Sequence, residues 1–417
     1  MQEMLSPEAA RALVLGHTKL MPMVEVGLLE AVGRVAACDL ISDIDVAPFD
    51  HSAMDGFAVR SADLACASDD APVVLDVIAE EPAGAFYEGA IAPGQCVRIM
   101  TGAPLPADAD SVVKYEIVDV VEGDGREGSR VAFRSPTDVR SNVRSAGEEA
   151  KAGEVVVRAG EVIGSAGVGF LASCGVMRLQ TYARPKVAIM ATGSELVDPS
   201  EVPTPGKIRN SNGYAIAACV QQAGCEPMLF PIVEDTEEAL AAAVMRAVRE
   251  ADFVITTGGA ANGDYDFIKK VVAEQGELYM STVNMRPGKA QTFGIVEDTP
   301  VFGLPGNPAA AYIGFELLVR PALRKMQGYT AFEHQVVRAR LSRDVKKRDS
   351  RRIYMRSTLT KDEQGYLVTP AQNQSSGLFG VIQRSNCLAI MPEGLESRTE
   401  GSMVDCIILD IPEEMVL

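Results

Sequence analysis

The sequence predicts a multidomain α/β plus β protein. A central doubly wound, mostly parallel α/β domain follows a β-rich insert and precedes a small β-barrel or sandwich. Residues 182–328 alternate short apolar strands with helical segments, as doubly wound sheets do. Residues 44–136 and 329–417 show apolar alternation broken by Gly, Pro and Asp turns, which is typical of β structure. A chain of 417 residues, 47% of them hydrophobic, can form several cores.

The composition argues against several classes of protein. A net charge of -18 disfavours affinity for nucleic acids and anionic membranes. None of the eight cysteines forms a CxxC pair, which disfavours a structural zinc site. The sequence contains no apolar run of about 18 residues, the length of a spanning helix, and its start lacks the order of a signal peptide. We therefore expect a cytoplasmic protein with reduced thiols and with no nucleic-acid or membrane partner.

Residues 1–176 combine a few helices with the β-rich insert. Ser6-Pro7-Glu8 has the residues of a helix start, and that helix should run to about Gly16. VEVGLLEAVGRVAA predicts a short strand followed by a helix, and EVIGSAGVGFLASCG predicts a second helix. The insert strands are predicted at APVVLDVIAE, GQCVRIM, SVVKYEIVDVV and RVAFR, with VEGDGREGSR as an exposed hairpin tip.

The central segment supplies the elements of the doubly wound sheet. Its predicted strands are PKVAIMATG, EPMLFPIV, ADFVITTGG and TPVFGLPGN. Helices are predicted over Asn210 to Ala223, after the N-cap Thr236, over Asp266 to Glu274 and over Pro308 to Gln327. Ligands of such sheets bind at the carboxyl ends of the strands, so the loops that follow these strands form the candidate site.

Two of these loops have the features of anion-binding turns. Loop 256–266 is rich in glycine, which lets backbone N–H groups approach a ligand. The turn Leu304-Pro305-Gly306-Asn307-Pro308 places an N-cap residue and a proline at a helix start. Because loop 256–266 matches neither GxGxxG nor GxxxxGK[ST], ordinary dinucleotide and Walker sites are not predicted.

The same loops carry charges of both signs. Four acids follow strand ends: Glu195, Asp235, Asp264 and Asp266. Carboxylates suit a magnesium ion that is shared with a phosphate, although Asp264 could equally cap the next helix. Two cations, Arg286 and Lys289, lie in the nearby segment NMRPGK. Together these charges predict a site for a phosphorylated ligand and a divalent metal.

Two further motifs leave alternatives open. HSAMDGFA is not a plain hairpin, although its Asp55-Gly56 step alone would form an ordinary turn. Nine basic residues lie between Arg338 and Arg356. This basic stretch predicts either a solvated hairpin or local phosphate binding. RNA binding is disfavoured because the chain is acidic and Tyr354 is the one aromatic residue in the stretch.

Six motifs occur in an order and spacing typical of one family: PFDHSAMDGFAVR, GQCVRIMTGAPLP, ATGSEL, TTGGAANGDYDF, RPGKAQTFG and GLPGNPAAA. Over essentially its whole length the chain resembles the molybdopterin molybdenumtransferases, the family of MoeA and the gephyrin E-domain. The resemblance implies an elongated homodimer of four-domain subunits. In this sequence the domains would be residues 1–43 with 137–176, the insert 44–136, a molybdopterin adenylyltransferase-like domain 177–328, and a barrel 329–417.

The resemblance also implies a function. Members of this family take adenylylated molybdopterin and molybdate, insert molybdenum into the dithiolene and release AMP, which gives the molybdenum cofactor. Mg²⁺ or a similar divalent cation supports the reaction. A molybdopterin adenylyltransferase would be the upstream donor, and the active site would be shared between two subunits.

Individual site residues follow from the matching motifs. The catalytic residues would be Asp55, Glu195, Asp235 and Asp266, and the last three would also bind the metal. Asp55 and Thr101 would come from the partner subunit. The substrate-binding residues would be Thr101, Thr192, Gly258, Gly259, Arg286, Lys289, Pro305, Pro308, Arg351 and Ser376, with Arg352 as the alternative to Arg351.

The sequence departs from the family pattern where the anion and phosphates should bind. Ala261 replaces a serine, Ser194 replaces an aspartate and Ala290 replaces a proline. A paralogue that uses another oxyanion, such as tungstate, is therefore one alternative, and a non-catalytic scaffold of the gephyrin type is another. The retained acids favour the enzyme.

Overall fold

The computed structural model describes residues 1–258 and 267–409, which form two compact units. One unit comprises residues 1–24, 33–37 and 180–417, and the other comprises residues 25–32 and 38–179. We call them the sheet–barrel unit and the insert unit. The division into four domains that the family resemblance implies stays a prediction.

The insert unit is built on a six-stranded mixed sheet. In spatial order its strands are Ser111–Lys114, Gly56–Val59, Gln95–Ile99, Val73–Glu81, Arg130–Phe133 and Asp119–Glu122. Phe57 and Phe133 are buried in the core on one face, and Val97 and Ile99 are buried on the other. The last two strands pair antiparallel across residues 123–129, which confirms the predicted hairpin.

Shorter elements complete residues 23–182. These are the strands Met23–Gly27, Leu40–Ile41, His51–Ser52, Val143–Arg144, Val155–Val157 and Arg178–Tyr182, and the helix Ser165–Ser173. The helix predicted after the first strand is wrong, because only a 3₁₀ turn, Leu28–Ala31, forms there. Gly33 adopts a φ of 77°, a left-handed conformation that stops a helix.

The sheet–barrel unit contains the predicted doubly wound sheet. In spatial order its strands are Glu226–Leu229, Lys186–Ala191, Phe253–Thr257, Thr299–Leu304, Ala290–Val296 and Glu277–Thr282. The first four are the predicted strands, and each pairs in parallel with its neighbour. The last two form an antiparallel edge that the sequence analysis missed.

Helices cover both faces of this sheet. They are Pro7–Gly16, Asn212–Gln222, Glu237–Glu250, Phe267–Gln275, Pro308–Gly314 and Arg320–Met326, with a π-helical segment Phe315–Val319 between the last two. The Ser6 and Thr236 side chains accept N-cap hydrogen bonds, as predicted. Ile189 packs into the core on one face of the sheet and Met190 into the core on the other.

The C-terminal strands close into a five-stranded barrel. The strands are Val336–Leu341, Arg352–Asp362, Gly365–Pro370, Cys387–Met391 and Met403–Ile408, and the short helix Phe379–Gln383 accompanies them. Each of these five strands pairs with two others of the five, and the ring of pairings closes. The alternative of a sandwich is therefore wrong, and the barrel is confirmed.

Candidate functional site

A cavity of about 1490 Å³ opens at the carboxyl ends of the parallel strands, within the sheet–barrel unit. Its sheet wall contains the residues that directly follow three strands, Thr192, Gly258 and Pro305. The other wall is formed by barrel residues between 343 and 377. The cavity therefore lies where a doubly wound sheet is expected to bind its ligand.

Two backbone contacts hold the barrel wall against the sheet edge. The short strand Met285–Arg286 pairs in parallel with Arg352 and Ile353 at the start of a barrel strand. The Ala309 N–H donates a 2.8 Å hydrogen bond to the Ser376 carbonyl. These contacts bring the segment NMRPGK, the LPGNP turn and the barrel around one space.

The acidic part of the cavity contains Glu195 and Asp235, as predicted. Burial, and then the neighbouring Glu195 carboxylate, raise the pKa of Asp235. Gly193 leaves the room that the Glu195 carboxylate needs, because a β-carbon at this position would lie 2.6 Å from Glu195 Oε2. The two acids repel one another, and a bound cation would relieve that repulsion.

These carboxylates fit one side of a magnesium site. Among residues 1–258 and 267–409, no group of three or more His, Cys, Asp and Glu side chains forms a metal centre. The third predicted ligand, Asp266, lies outside the described residues, as do Gly259, Ala261 and Asp264. Two carboxylates beside a cation-rich wall match a magnesium ion that completes its shell with phosphate oxygens and water.

Thr192 and Gly258 make the closest backbone approach in the cavity. Gly258 has a φ of 89°, and a β-carbon there would lie 2.3 Å from the Thr192 carbonyl oxygen. The Thr192 side chain is 4% exposed, and its hydroxyl has no hydrogen-bond partner among the described residues. The hydroxyl is thus enclosed in the wall and not exposed to the cavity, and leaving it unpaired is costly.

Arg286 and Arg351 share one carboxylate on the barrel side. Arg286 Nη1 lies 3.1 Å from Asp349 Oδ2, and Arg351 Nε donates to Asp349 Oδ1 at 2.9 Å. The hydrogen bond from Arg351 contributes most to holding the pKa of Asp349 well below its usual range. The Lys289 ammonium, which also lines the cavity, makes no hydrogen bond or ion pair with any described residue.

Arg356 belongs to the basic stretch for which phosphate binding was one alternative, but the sequence analysis did not name it individually as a site residue. Its side chain is 1% exposed, and it lines the cavity. Its guanidinium donates to Gln374 Oε1 at 3.0 and 3.2 Å and to the Ser375 carbonyl at 3.0 Å, so these partners are neutral. A buried cation without a carboxylate partner favours a bound anion. The signal was present in RIYMRSTL, where an arginine interrupts a buried strand.

The basic stretch divides into two groups. Five of its members line the cavity: Arg343, Lys346, Arg348, Arg351 and Arg356. The others contact the protein itself, as Arg340 does with Asp362 at 2.7 Å and Arg352 with Glu8 and Glu393. With Arg209, Arg286 and Lys289, the described residues place eight cations and three carboxylates, those of Glu195, Asp235 and Asp344, in the cavity wall. This geometry favours local anion binding over a solvated hairpin.

Asp55 and Thr101 lie in the insert unit and contact each other directly. Both the backbone N–H and the hydroxyl of Thr101 donate to Asp55 Oδ1, each at 2.7 Å. These two hydrogen bonds lower the pKa of Asp55. Asp55 is therefore an exposed, ionised carboxylate held in a fixed orientation.

The structure thus groups most of the predicted site residues. Ten of them line the cavity: Thr192, Glu195, Asp235, Gly258, Arg286, Lys289, Pro305, Pro308, Arg351 and Ser376. Their individual roles stay predictions. Within the described residues, every helix is too short or too polar to cross a bilayer.

The fold and the cavity define a class of protein with a doubly wound sheet and a cation-lined cavity at the carboxyl ends of its parallel strands. Comparisons with known proteins identify the family. Residues 5–175 match the MoeA N-terminal region (domain I and II), residues 188–325 match a family described as "Probable molybdopterin binding domain", and residues 338–409 match the MoeA C-terminal region (domain IV).

Similar proteins cover almost the whole chain. A molybdopterin molybdenumtransferase of Staphylococcus epidermidis is 35% identical over 98% of this chain and 97% of its own length. One of Staphylococcus aureus is 34% identical over 97% and 96%. The crystal structure of a molybdopterin biosynthesis MoeA protein from Pyrococcus horikoshii superposes with a TM-score of 0.82 at 31% identity, covering 97% of this chain and 99% of its own. The chain belongs to the MoeA family.

Proposed function

We propose that this chain is a molybdopterin molybdenumtransferase of molybdenum cofactor biosynthesis. It inserts molybdenum from molybdate into adenylylated molybdopterin and releases AMP. One observation carries the proposal: cationic side chains outnumber carboxylates in a cavity at the ligand-binding edge of the sheet. Molybdate and the phosphates of the adenylylated pterin are anions that such a cavity would attract.

Cationic and acidic side chains of the cavity have different roles. Arg286, Lys289, Arg351 and Arg356 bind and orient the oxyanion and the phosphates on the barrel side. Thr192 and Gly258 form the sheet side of the cavity against which the substrate lies. Fixed donors that hold two reactants together lower the entropic barrier to their reaction.

Mg²⁺ is the metal that the acidic side would hold. Glu195 and Asp235 supply its protein ligands, together with Asp266, which lies outside the described residues. When bound, the ion would neutralise charge on the phosphate oxygens. Two carboxylates that repel each other and phosphates brought by the substrate support this part of the proposal.

The protein acts as a homodimer with shared active sites. Asp55 and Thr101 belong to the insert unit, whereas the cavity belongs to the sheet–barrel unit, so the predicted catalytic residues come from two separate units. A molybdopterin adenylyltransferase supplies the adenylylated substrate. Cytoplasmic location remains an expectation from the sequence.

AMP release in vitro tests the proposed function. The purified protein with Mg²⁺ and adenylylated molybdopterin should release AMP, measured by chromatography, only when molybdate is added. Glu195→Gln should abolish this release. Glu201→Gln, on the neighbouring exposed loop outside the cavity lining, is the matched control and should retain it. Binding of the pterin without molybdate-dependent AMP release by the unaltered protein would contradict the proposal.

A further inference from the structure

The turn that carries Asp55 in the insert unit has little regular structure of its own. Its strand His51–Ser52 makes a two-residue antiparallel ladder with Val143–Arg144. The Ser52 hydroxyl donates to the Met54 carbonyl at 2.5 Å, which tightens the turn locally. Asp55 follows as an exposed residue, so its position depends on what holds residues 52–55 from outside.

Asn142 is one of the residues that tie this turn to the rest of the insert unit, beside the hydrogen bonds from the Gly102 N–H to the Ser52 carbonyl and from the Tyr115 N–H to the Asp55 carbonyl. Its carbonyl accepts a 2.9 Å hydrogen bond from the Ala53 N–H, and its side-chain Nδ2 donates to the Val112 carbonyl at 2.8 Å. Val112 lies in the strand Ser111–Lys114, which pairs with Gly56–Val59 directly after Asp55. Asn142 therefore connects one end of the turn to the strand that already fixes its other end.

The backbone at Asn142 adopts a conformation that most residues avoid. Its φ is 52°, and Arg140, two residues earlier, has a φ of 68°. Non-glycine residues with such left-handed angles persist when surrounding contacts hold them, and they concentrate at functional sites. The Arg140 guanidinium contacts Asp50, and Asp50 Oδ1 accepts a 2.8 Å hydrogen bond from the Ala146 N–H. This exposed pair fixes residues 140–146 against the start of the turn.

We propose that Asn142 is a positioning residue for Asp55, through the tether that its carbonyl and its amide make between the Asp55 turn and the neighbouring strand. The proposal rests on the proposed function only in taking Asp55 as a catalytic carboxylate. Asn142 acts on the reaction by orienting Asp55. The two hydrogen bonds that Thr101 donates to Asp55 depend on that orientation and can be used to measure it.

Asn142→Gly is the informative variant. Glycine adopts the left-handed conformation without strain, so the fold is retained while the side-chain tether is lost. We expect kcat for AMP release to fall about tenfold to a hundredfold with KM nearly unchanged, as for a misplaced catalytic group. Hydrogen–deuterium exchange at the Thr101 amide should become about tenfold faster because its acceptor, Asp55, is less ordered.

A matched control separates positioning from a general effect of glycine. Asp298 is also a left-handed non-glycine residue, with a φ of 66°, in the other unit. Asp298→Gly should leave both kcat and exchange at Thr101 unchanged. If Asn142→Gly does not fold, Asn142→Asp keeps the shape, removes the donor to Val112 and should give the same two effects.

Each result decides the proposal. A lower kcat together with faster exchange at Thr101 supports it. An unchanged kcat, or a lower kcat with unchanged exchange, overturns it. If the unaltered protein releases no AMP, the proposed function fails separately, and exchange alone decides: faster exchange at Thr101 supports the tether and unchanged exchange overturns it.

Discussion

The most unusual side chain in the cavity is Arg356, a buried guanidinium whose hydrogen-bond acceptors among the described residues are neutral. A bound anion would supply the countercharge that these partners lack. We expect Arg356→Met to weaken molybdate binding about tenfold or more, since a hydrogen bond to a charged group contributes roughly 1.5–3 kcal/mol. Arg356→Lys should have an intermediate molybdate affinity, because lysine keeps the positive charge but lacks the paired N–H donors of the guanidinium. Isothermal titration calorimetry measures both affinities.

A basic residue outside the cavity provides the control for Arg356. Arg338 lies in the same basic stretch, with a side chain that is 71% exposed and close to Asp405. Arg338→Met should leave molybdate affinity unchanged. Equal losses from Arg338→Met and Arg356→Met would show that the attraction comes from the overall charge of the barrel.

Asp235 gives a prediction about pH. Burial and Glu195 raise its pKa in the folded protein, so the folded state binds this proton more tightly than the unfolded state does. The free energy of unfolding therefore falls as the pH rises from the ordinary aspartate pKa, about 3.9, through the raised pKa that Asp235 has in the folded protein. Asp235→Asn should raise the melting temperature at pH 7, and the difference from the unaltered protein should vanish below about pH 3.9.

Magnesium extends the test of Asp235. Adding Mg²⁺ at pH 7 should stabilise the unaltered protein because the ion relieves the repulsion between the two carboxylates. It should stabilise Asp235→Asn much less. Thermal unfolding with Mg²⁺ or with EDTA measures the difference, and an equal response of both proteins would remove Asp235 from the metal site.

At the scale of elements, the strand ends depend on a close approach at Gly258. Gly258→Ala would combine a left-handed residue with a contact of 2.3 Å to the Thr192 carbonyl oxygen. Gly206 is the matched control, with a φ of 84° and no heavy atom within 4 Å of an added β-carbon. Gly206→Ala should cost about 1–2 kcal/mol, the cost of the left-handed conformation alone. Gly258→Ala should cost clearly more in chemical denaturation, and equal costs would show that the strand ends separate easily.

Elements with strong local signals were predicted from the sequence, and those without were missed. Three of the four parallel strands, Lys186–Ala191, Phe253–Thr257 and Thr299–Leu304, are largely buried runs, and Ser6 and Thr236 cap their helices as expected. The antiparallel edge, Glu277–Thr282 with Ala290–Val296, contains polar residues and a bulged register, so its pattern is weak. The helix expected after Gly27 shortens to one 3₁₀ turn, in which Leu29 stays 80% exposed.

At the scale of the whole molecule, the shared active site predicts complementation between subunits. Asp55→Ala and Glu195→Ala disable residues of different units. In a purified heterodimer of the two variants, one site would receive both substitutions and the other neither. We expect about half of the unaltered activity, since a two-fold dimer has two equivalent sites. AMP release by differently tagged, co-expressed subunits measures it.

The complementation experiment has a direct control. Heterodimers that carry Glu195→Ala in both subunits have no intact site and should be inactive. A mixed heterodimer that is as inactive as this control would show that Asp55 and Glu195 of one chain serve the same site.

The sequence by itself determined the fold class, the sheet edge at which the cavity opens and ten of the residues that line it. It could do so because strand periodicity and turn residues are local, and the carboxyl ends of parallel strands meet at one edge. Only the tertiary structure placed Arg356 in the cavity and divided the basic stretch into residues that line the cavity and residues that do not. Burial and pairing of a charge depend on residues distant in the chain, such as Gln374 and Met285, whose proximity no local pattern encodes.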